Sequence, residues 1–332
     1  EPRESFVFIR GDFLRHGDKV EPSYPAALGK TPTGKLNRLN LAKWLVSADN
    51  PLTARVVVNR AWQQFFGKGL VETENDFGLQ GSSPTHPELL DWLAVEFANP
   101  ARKGGEEVPK RWSLKRLHRL IVTSATYKQS SVGRPDLKDI DPQNKLLARQ
   151  SRLRLEAEII RDAALSASGL LSHKVGGPGV YPPLPKEVFS FTQSNHAWPE
   201  SQGEDRYRRG IYTFLWRQSQ HHLLTTFDGA DPQVACTRRN RSNTPLQALH
   251  LANDPAFVEF FAALGKRVLK DGPKDDAGRV TLAFRLCFAR PPDEQESAAL
   301  LAYLKKQEGD DAKRWAAVGR VLMNLDEFVT RE

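Results

Sequence analysis

The stretch Asn50-Pro-Leu-Thr-Ala-Arg55-Val-Val-Val-Asn59-Arg60-Ala-Trp62-Gln-Gln-Phe-Phe66-Gly67 spells out a helix together with both of its ends. Asn50 is a good cap, and Pro51 fits a first turn because its missing N–H would find no partner there. Gly67 is the residue type that closes a helix. Inside, Arg55, Asn59 and Trp62 fall at i, i+4 and i+7 and so share one face. The same grammar recurs outward in both directions. Residues 37–46 carry Leu41, Trp44 and Leu45 on one side. Thr85-His-Pro-Glu88 is a capping-box pattern ahead of Leu89, Leu90, Leu93 and Phe97, and Ser113 precedes Leu114, Leu117 and Ile121 on one face. A polar segment, 130–144, leads to a long helix expected over 153–171, ended near Gly176-Gly177-Pro178-Gly179. Further helices are expected over 245–252, 255–269, 278–289 and 293–328, the last with a break near Gly309.

Two stretches read otherwise. Ser5-Phe-Val-Phe-Ile-Arg10 is rich in strand-forming residues and stops at Gly11-Asp12. Gly210-Ile-Tyr-Thr-Phe-Leu-Trp216 is apolar on both faces, as in a buried strand. A lone buried strand would orphan its backbone groups, so the two are expected to pair. The fold class expected is mainly α: a multi-helix globular domain with one small β-sheet, as one domain over 1–332. Its parts are an N-terminal strand and helices (1–130), a long helix and sheet region (145–242) and C-terminal helices (243–332).

The 332 residues suffice for a sizeable core, and 39% hydrophobic with 27% charged residues is too apolar for disorder. No apolar run approaches the roughly 20 residues that span a bilayer. No basic-then-apolar leader opens the sequence, so any signal peptide is expected to have been removed or to lie upstream. The net charge of +8 suits an anionic partner. Between positions 206 and 241 stand Arg206, Arg208, Arg209, Arg217, Arg238, Arg239 and Arg241 against Asp228 and Asp231 alone. A second basic cluster is Lys110, Arg111, Lys115, Arg116 and Arg119.

Several motifs fall short of the chemistry they suggest. Gly29-Lys-Thr-Pro-Thr-Gly34-Lys35 is followed by Leu36 where a phosphate loop needs a magnesium-binding hydroxyl, and Pro32 removes a backbone donor. His221-His222 with Asp228 and Asp231 matches no standard metal spacing, since adjacent side chains on an extended chain point apart. No metal site is assigned. Asp136, Asp139 and Asp141 lack the glycine and distal glutamate of a calcium loop. Cys236 and Cys287 cannot build a disulfide framework, and two unpaired, buried thiols are expected. With no C-x-x-C-H, the chain attaches no c-type haem and needs no cofactor of its own.

The 50–62 stretch also resembles a known family. So do Asn75-Asp-Phe-Gly78, Pro84-Thr-His-Pro-Glu-Leu-Leu-Asp-Trp-Leu93, Leu120-Ile-Val-Thr-Ser-Ala-Thr-Tyr127, Arg154-Leu-Glu-Ala-Glu158 with Ile160-Arg-Asp162, and Thr244-Pro-Leu-Gln-Ala-Leu249 with Asn253-Asp254-Pro255. Phe8-Ile-Arg10-Gly-Asp12 and Val20-Glu-Pro22 match its opening. Together these resemble the planctomycete-specific domain of unknown function at the C-terminus of planctomycete cytochrome c proteins. The resemblance implies an extracytoplasmic setting (periplasm or cell envelope), hosts rich in polysaccharide-degrading enzymes, and an upstream cytochrome c domain as partner, which would carry the haem. It brings no activity with it.

Two readings of function follow. In the first the chain is a binding module that docks the cytochrome c domain or captures an anionic polysaccharide, using Arg55, Asn59, Trp62, Arg161 and Arg239. A guanidinium fork holds oxyanions bidentately, and tryptophan can stack on sugars. In the second it is a polysaccharide-active enzyme whose acid and base come from Asp162, Asp228 and Asp231. Nucleic acid has only the charge in its favour, with no recognition motif. The same polar residues also suit plain helix-fixing ion pairs, with Glu158 facing Arg154.

Overall fold

The computed structural model describes residues 3–31, 34, 36–101, 110–185, 198–217 and 219–331. Pro32, Thr33 and Lys35 of the rejected phosphate-loop string, and part of the loop after Tyr181, lie outside them. The fold is mainly α, with twelve helices and two small two-stranded sheets among the described residues. The chain divides into two compact units, Glu1–Gln150 and Ser151–Glu332.

The first unit opens with a hairpin, β1 (Ser5–Phe8) antiparallel to β2 (His16–Val20). The N-terminal strand therefore pairs with its neighbour in sequence and not with 210–216, as expected above. Gly11, at φ +78°, and Arg10, at φ 55°, allow the turn that makes the local partner reachable. Helix α1 (Arg38–Leu45) starts at Asn37, whose side chain accepts from the backbone N–H groups of Leu39 and Asn40. Helix α2 (Thr53–Phe66) is preceded by Asn50, whose Oδ1 accepts from Leu52 N at 3.0 Å and Thr53 N at 3.1 Å. It closes on Gly67 in the left-handed region at φ 80°. Helices α3 (Pro87–Ala98) and α4 (Leu114–Thr123) complete the unit. Ser113 caps α4 as its sequence announced. Thr85 forms no capping box: its N–H and hydroxyl turn to the Leu70 carbonyl, and α3 starts one residue later, after His86. Val58, Trp62 and Phe66 pack with Leu90, Leu93, Phe97, Leu117 and Ile121 into one core.

The second unit is built on α8 (Pro255–Asp271), whose Phe257, Phe260, Phe261, Leu264 and Val268 are all buried. Around it lie α5 (Ala157–Ser168), α6 (His222–Thr226), α7 (Pro245–Asn253), α9 (Asp276–Phe288), α10 (Glu294–Lys306), α11 (Asp311–Met323) and α12 (Asp326–Val329). Glycine sets the closest crossing: a Cβ on Gly265 would meet Ala316 N at 2.8 Å, so α8 and α11 touch backbone to backbone. Helix α5 is shorter than the expected 153–171. Residues Leu153–Arg154 instead form β3, paired antiparallel with β4 (Thr330–Arg331).

The expected strand over 210–216 is a short 3-10 turn, Gly210–Tyr212, followed by extended chain. Its start is pinned by α5. Gly210 N donates to Asp162 Oδ1 at 2.6 Å, and a Cβ on Gly210 would meet the Glu158 backbone within 2.8 Å. The apolar run is bound to a helix, leaving a single bridge among the described residues, from Val180 to Thr213.

Candidate functional site

In the first unit, the three residues that share the α2 face have three separate tasks. Arg55 is partly exposed and pairs with Asp91 at 2.7 Å, while its Nη1 donates to the Pro51 carbonyl. Asn59 is fully buried and satisfies both backbone groups of Val71, donating to O at 3.0 Å and accepting from N at 2.8 Å. Trp62 is buried and stacks on Phe66 at 4.2 Å. Nothing in this face is open chemistry; it builds a core. The Asp136–Asp141 loop is likewise occupied, by Arg134 and by the N–H groups of Lys145 and Leu146.

In the second unit the candidate carboxylates are clamped. Asp228, in the left-handed region at φ 56°, accepts from Ser242 N at 2.8 Å, from the Ser242 hydroxyl and from Arg154. Arg154 also donates to the Ser242 carbonyl at 2.7 Å and to Leu155 O at 2.9 Å. Burial pushes the Asp228 carboxyl up, but the Ser242 and Arg154 contacts outweigh it and hold the group below its usual range. Asp162 accepts from Arg209 Nε at 3.0 Å besides Gly210 N. Asp231 is exposed and caps a turn through Gln233 N.

Arg239 forks onto Glu158, at 2.5 and 2.9 Å, with Glu156 3.5 Å away. Burial raises the Glu158 carboxyl, but the hydrogen bond and charge of Arg239 together with a backbone hydrogen bond outweigh this and hold it below its usual range. Glu158 thus pairs with Arg239 and not with Arg154, because Arg154 lies on β3, outside the helix that would place it four residues away on the same face.

A second polar centre surrounds the start of α8. Arg161 is 2% exposed, donates to the Arg206 carbonyl at 2.8 Å and lies over the Phe260 ring. Desolvation lowers its pKa to about 10, with Asp162 and Asp254 pulling the other way. Asp254 caps α8, accepting at Oδ1 from Ala256 N at 2.9 Å. Its Oδ2 lies 2.5 Å from His222 Nε2 and 3.9 Å from His250 Nε2. Burial raises the Asp254 carboxyl, but His222, His250 and the Ala256 N–H together outweigh this and keep it below its usual range. His221 points elsewhere: Nε2 to the Pro183 carbonyl at 3.1 Å and Nδ1 toward Leu223 N. Desolvation lowers His221 to about 3 and His250 to about 4, so both rings are neutral at pH 7. This cluster was not among the candidates read from sequence except through Arg161 and His222. His250 looks like a helix-end histidine, and Asp254 like a simple cap.

The arginines of 206–241 separate into two kinds. Arg206 holds Glu259 at 2.8 Å and also Glu200. Arg208 is 1% exposed, gathers the carbonyls of Gly176 and Pro178, and lies 3.7 Å over Tyr212. Arg209, Arg239 and Arg241 face Asp162, Glu158 and Glu156. Arg217 and Arg238 are exposed and have no carboxylate partner among the described residues. Both cysteines are free as expected, but Cys236 is exposed, contrary to the expected burial, and Cys287 is half-buried.

The family model PSD1, Protein of unknown function (DUF1553), matches residues 37–304. No curated protein and no solved structure matches the chain.

Proposed function

The chain belongs to the DUF1553 family, and we propose that it is a non-catalytic extracytoplasmic module that captures an anionic glycan through the cations of 206–241. The observation that carries the reading is the surplus at Arg217 and Arg238. Five arginines of the segment hold partners within the unit, while these two stand in solvent without carboxylates among the described residues. An exposed guanidinium without a partner offers its planar fork to sulfate or carboxylate. The setting, with an upstream cytochrome c domain supplying any haem and forming a neighbouring surface, rests on the planctomycete resemblance.

The alternative, a polysaccharide-active enzyme using an aspartate pair, is weaker on chemistry. Glycoside hydrolysis needs one carboxyl that keeps its proton near neutrality, hence a raised pKa. Asp228 is shifted down, and Asp162 is held by a guanidinium and a backbone N–H. Both act as anchors.

The test is calorimetric titration of sulfated, uronate-rich and neutral polysaccharides into wild type and the double variant Arg217→Ala/Arg238→Ala. Salt is set at about 0.1 M and about 1 M, between which the Debye length falls from about 10 Å to about 3 Å. Binding to the anionic glycans should weaken steeply with salt, and the double variant should lose most of that salt-dependent part. Equal binding to the neutral glycan, or an unchanged double variant, contradicts the proposal. Release of product that Asp228→Asn abolishes while binding persists would establish the enzyme instead.

A further inference from the structure

His222 opens α6, His250 lies in the last turn of α7, and Asp254 is the residue at which α7 gives way to α8. Three elements thus deliver two imidazoles and a carboxylate to one place. One donor atom from each lies within 4.8 Å of the other two. The side chains of His250 and Asp254 are 7% and 5% exposed, and that of His222 is 18% exposed.

Hydrogen bonding leaves this group incomplete. Asp254 Oδ1 is occupied by the N-terminus of α8, which aims Oδ2 at the histidines. His222 Nε2 meets that oxygen at 2.5 Å, but His250 Nε2, at 3.9 Å, is too far for a hydrogen bond. His250 Nε2 is buried without a hydrogen-bond partner among the described residues, and so is His222 Nδ1. An unmade hydrogen bond at a buried polar atom costs about 1–3 kcal/mol, so the orphaned His250 Nε2, the atom turned toward Asp254, needs a reason.

We propose that His222, His250 and Asp254 form a binding site for a divalent transition-metal cation of the zinc class. Donors about 2.1 Å from a tetrahedral ion lie about 3.4 Å apart. The separations of 2.5 and 3.9 Å bracket that value, so small opposite shifts of two rings would admit the ion. On binding, the proton that His222 Nε2 shares with Asp254 moves to Nδ1, which has no other partner among the described residues. Two imidazoles and one carboxylate suit zinc, cobalt(II) or iron(II) rather than calcium or magnesium, which take all-oxygen shells. Three protein ligands leave a fourth position open. The buried Arg161 guanidinium acts on Asp254 and opposes the cation's charge, which favours an anionic group, hydroxide or an acidic ligand's oxygen, in that position. His221 takes no part, since both its nitrogens are engaged elsewhere.

The experiment uses the full chain, stripped with chelator and titrated with zinc and, for its visible spectrum, with cobalt(II). Wild type should bind one equivalent, melt at a higher temperature with zinc, and show the intense d–d bands of a low-coordinate cobalt site. Loss of an outer-sphere partner typically weakens a metal about 10–100-fold; losing a ligand, in His222→Ala or His250→Gln, should cost at least that. Asp254→Asn keeps an oxygen for the α8 cap while removing the charge, and should weaken the metal without unfolding the chain. His173→Ala, an exposed histidine, should change nothing. No stoichiometric uptake by wild type overturns the proposal. So does full uptake by a His250→Gln protein with a native circular dichroism spectrum, or loss of uptake in His173→Ala.

Discussion

The two compact units treat buried polarity differently. In the first, Asn59, the most deeply buried polar side chain of the α2 face, finds a complete partner in the two backbone groups of Val71. Its charged neighbour Arg55 stays partly in solvent. The second unit takes guanidinium groups inside: Arg154 with Asp228, Arg161 near Asp254 and Arg208 among carbonyls. Some buried polar atoms of this unit end without partners among the described residues, including Arg161 Nε and His250 Nε2. Satisfied polarity marks architecture. Buried polarity left over, as at His250 Nε2, is where the proposed metal would complete the molecule.

The sharpest way to break this contrast is to remove charges in turn. Arg154→Ala leaves Asp228 with Ser242 but no countercharge and removes the donor to three carbonyls, and should destabilise the protein by about 3–5 kcal/mol, the range for a broken buried pair. Denaturant unfolding followed by circular dichroism reads the change. A loss under 1 kcal/mol would put Arg154 with Arg55, among the solvated pairs.

Acid should find the second unit next. An unfolded chain protonates His221 and His250 near pH 6.5, whereas the folded rings resist until about 3 and about 4. Between those values the unfolded state binds more protons, so stability is full above about pH 6.5 and falls as pH drops toward about 4. Asp254, held down by His222, adds a loss of the same sign. His250 alone accounts for a drop on the order of 3 kcal/mol. His250→Phe should flatten the profile between pH 6.5 and 4; an unchanged slope would show that other groups carry it.

The first unit gives the smaller effects. Asn59→Ala orphans Val71 N and O and should cost about 1–3 kcal/mol. Arg55→Ala removes an exposed pair and should cost no more than about 1 kcal/mol, measured in the same denaturant series. Reversal of that order would remove the distinction between the two polar residues on one helix face.

What the sequence made legible follows from the range of the forces involved. Ser113 and Gly67 mark helix ends because both devices are local: a side chain that accepts from the next N–H groups at a start, a glycine free to turn left-handed at a close. Thr85 shows the limit: the pattern was present, but the Leu70 carbonyl, from an earlier segment, claimed the residue. The stretch 210–216 looked like a strand because it is apolar on both faces, yet the α5 carboxylate of Asp162 and the close approach at Gly210 decided its shape. Arg239 and Asp228 are recognisable as charged residues of interest, but their partners Glu158 and Arg154 lie 81 and 74 positions away, beyond any periodicity. His250 and Asp254 signal nothing individually; the site they share with His222 exists only once α6, α7 and α8 meet.

The central claim is that the candidate carboxylates of the second unit are anchors, and a double-mutant cycle on Arg154 and Asp228 tests it most directly. The variants are Arg154→Ala, Asp228→Asn and the pair, with asparagine chosen because it tolerates the left-handed backbone at Asp228. Unfolding free energies should show a coupling of more than about 1 kcal/mol, within the span seen for residues in one hydrogen-bonded network. Additivity within about 0.5 kcal/mol would contradict the account, because it would mean that Asp228 is free of Arg154 and available for chemistry.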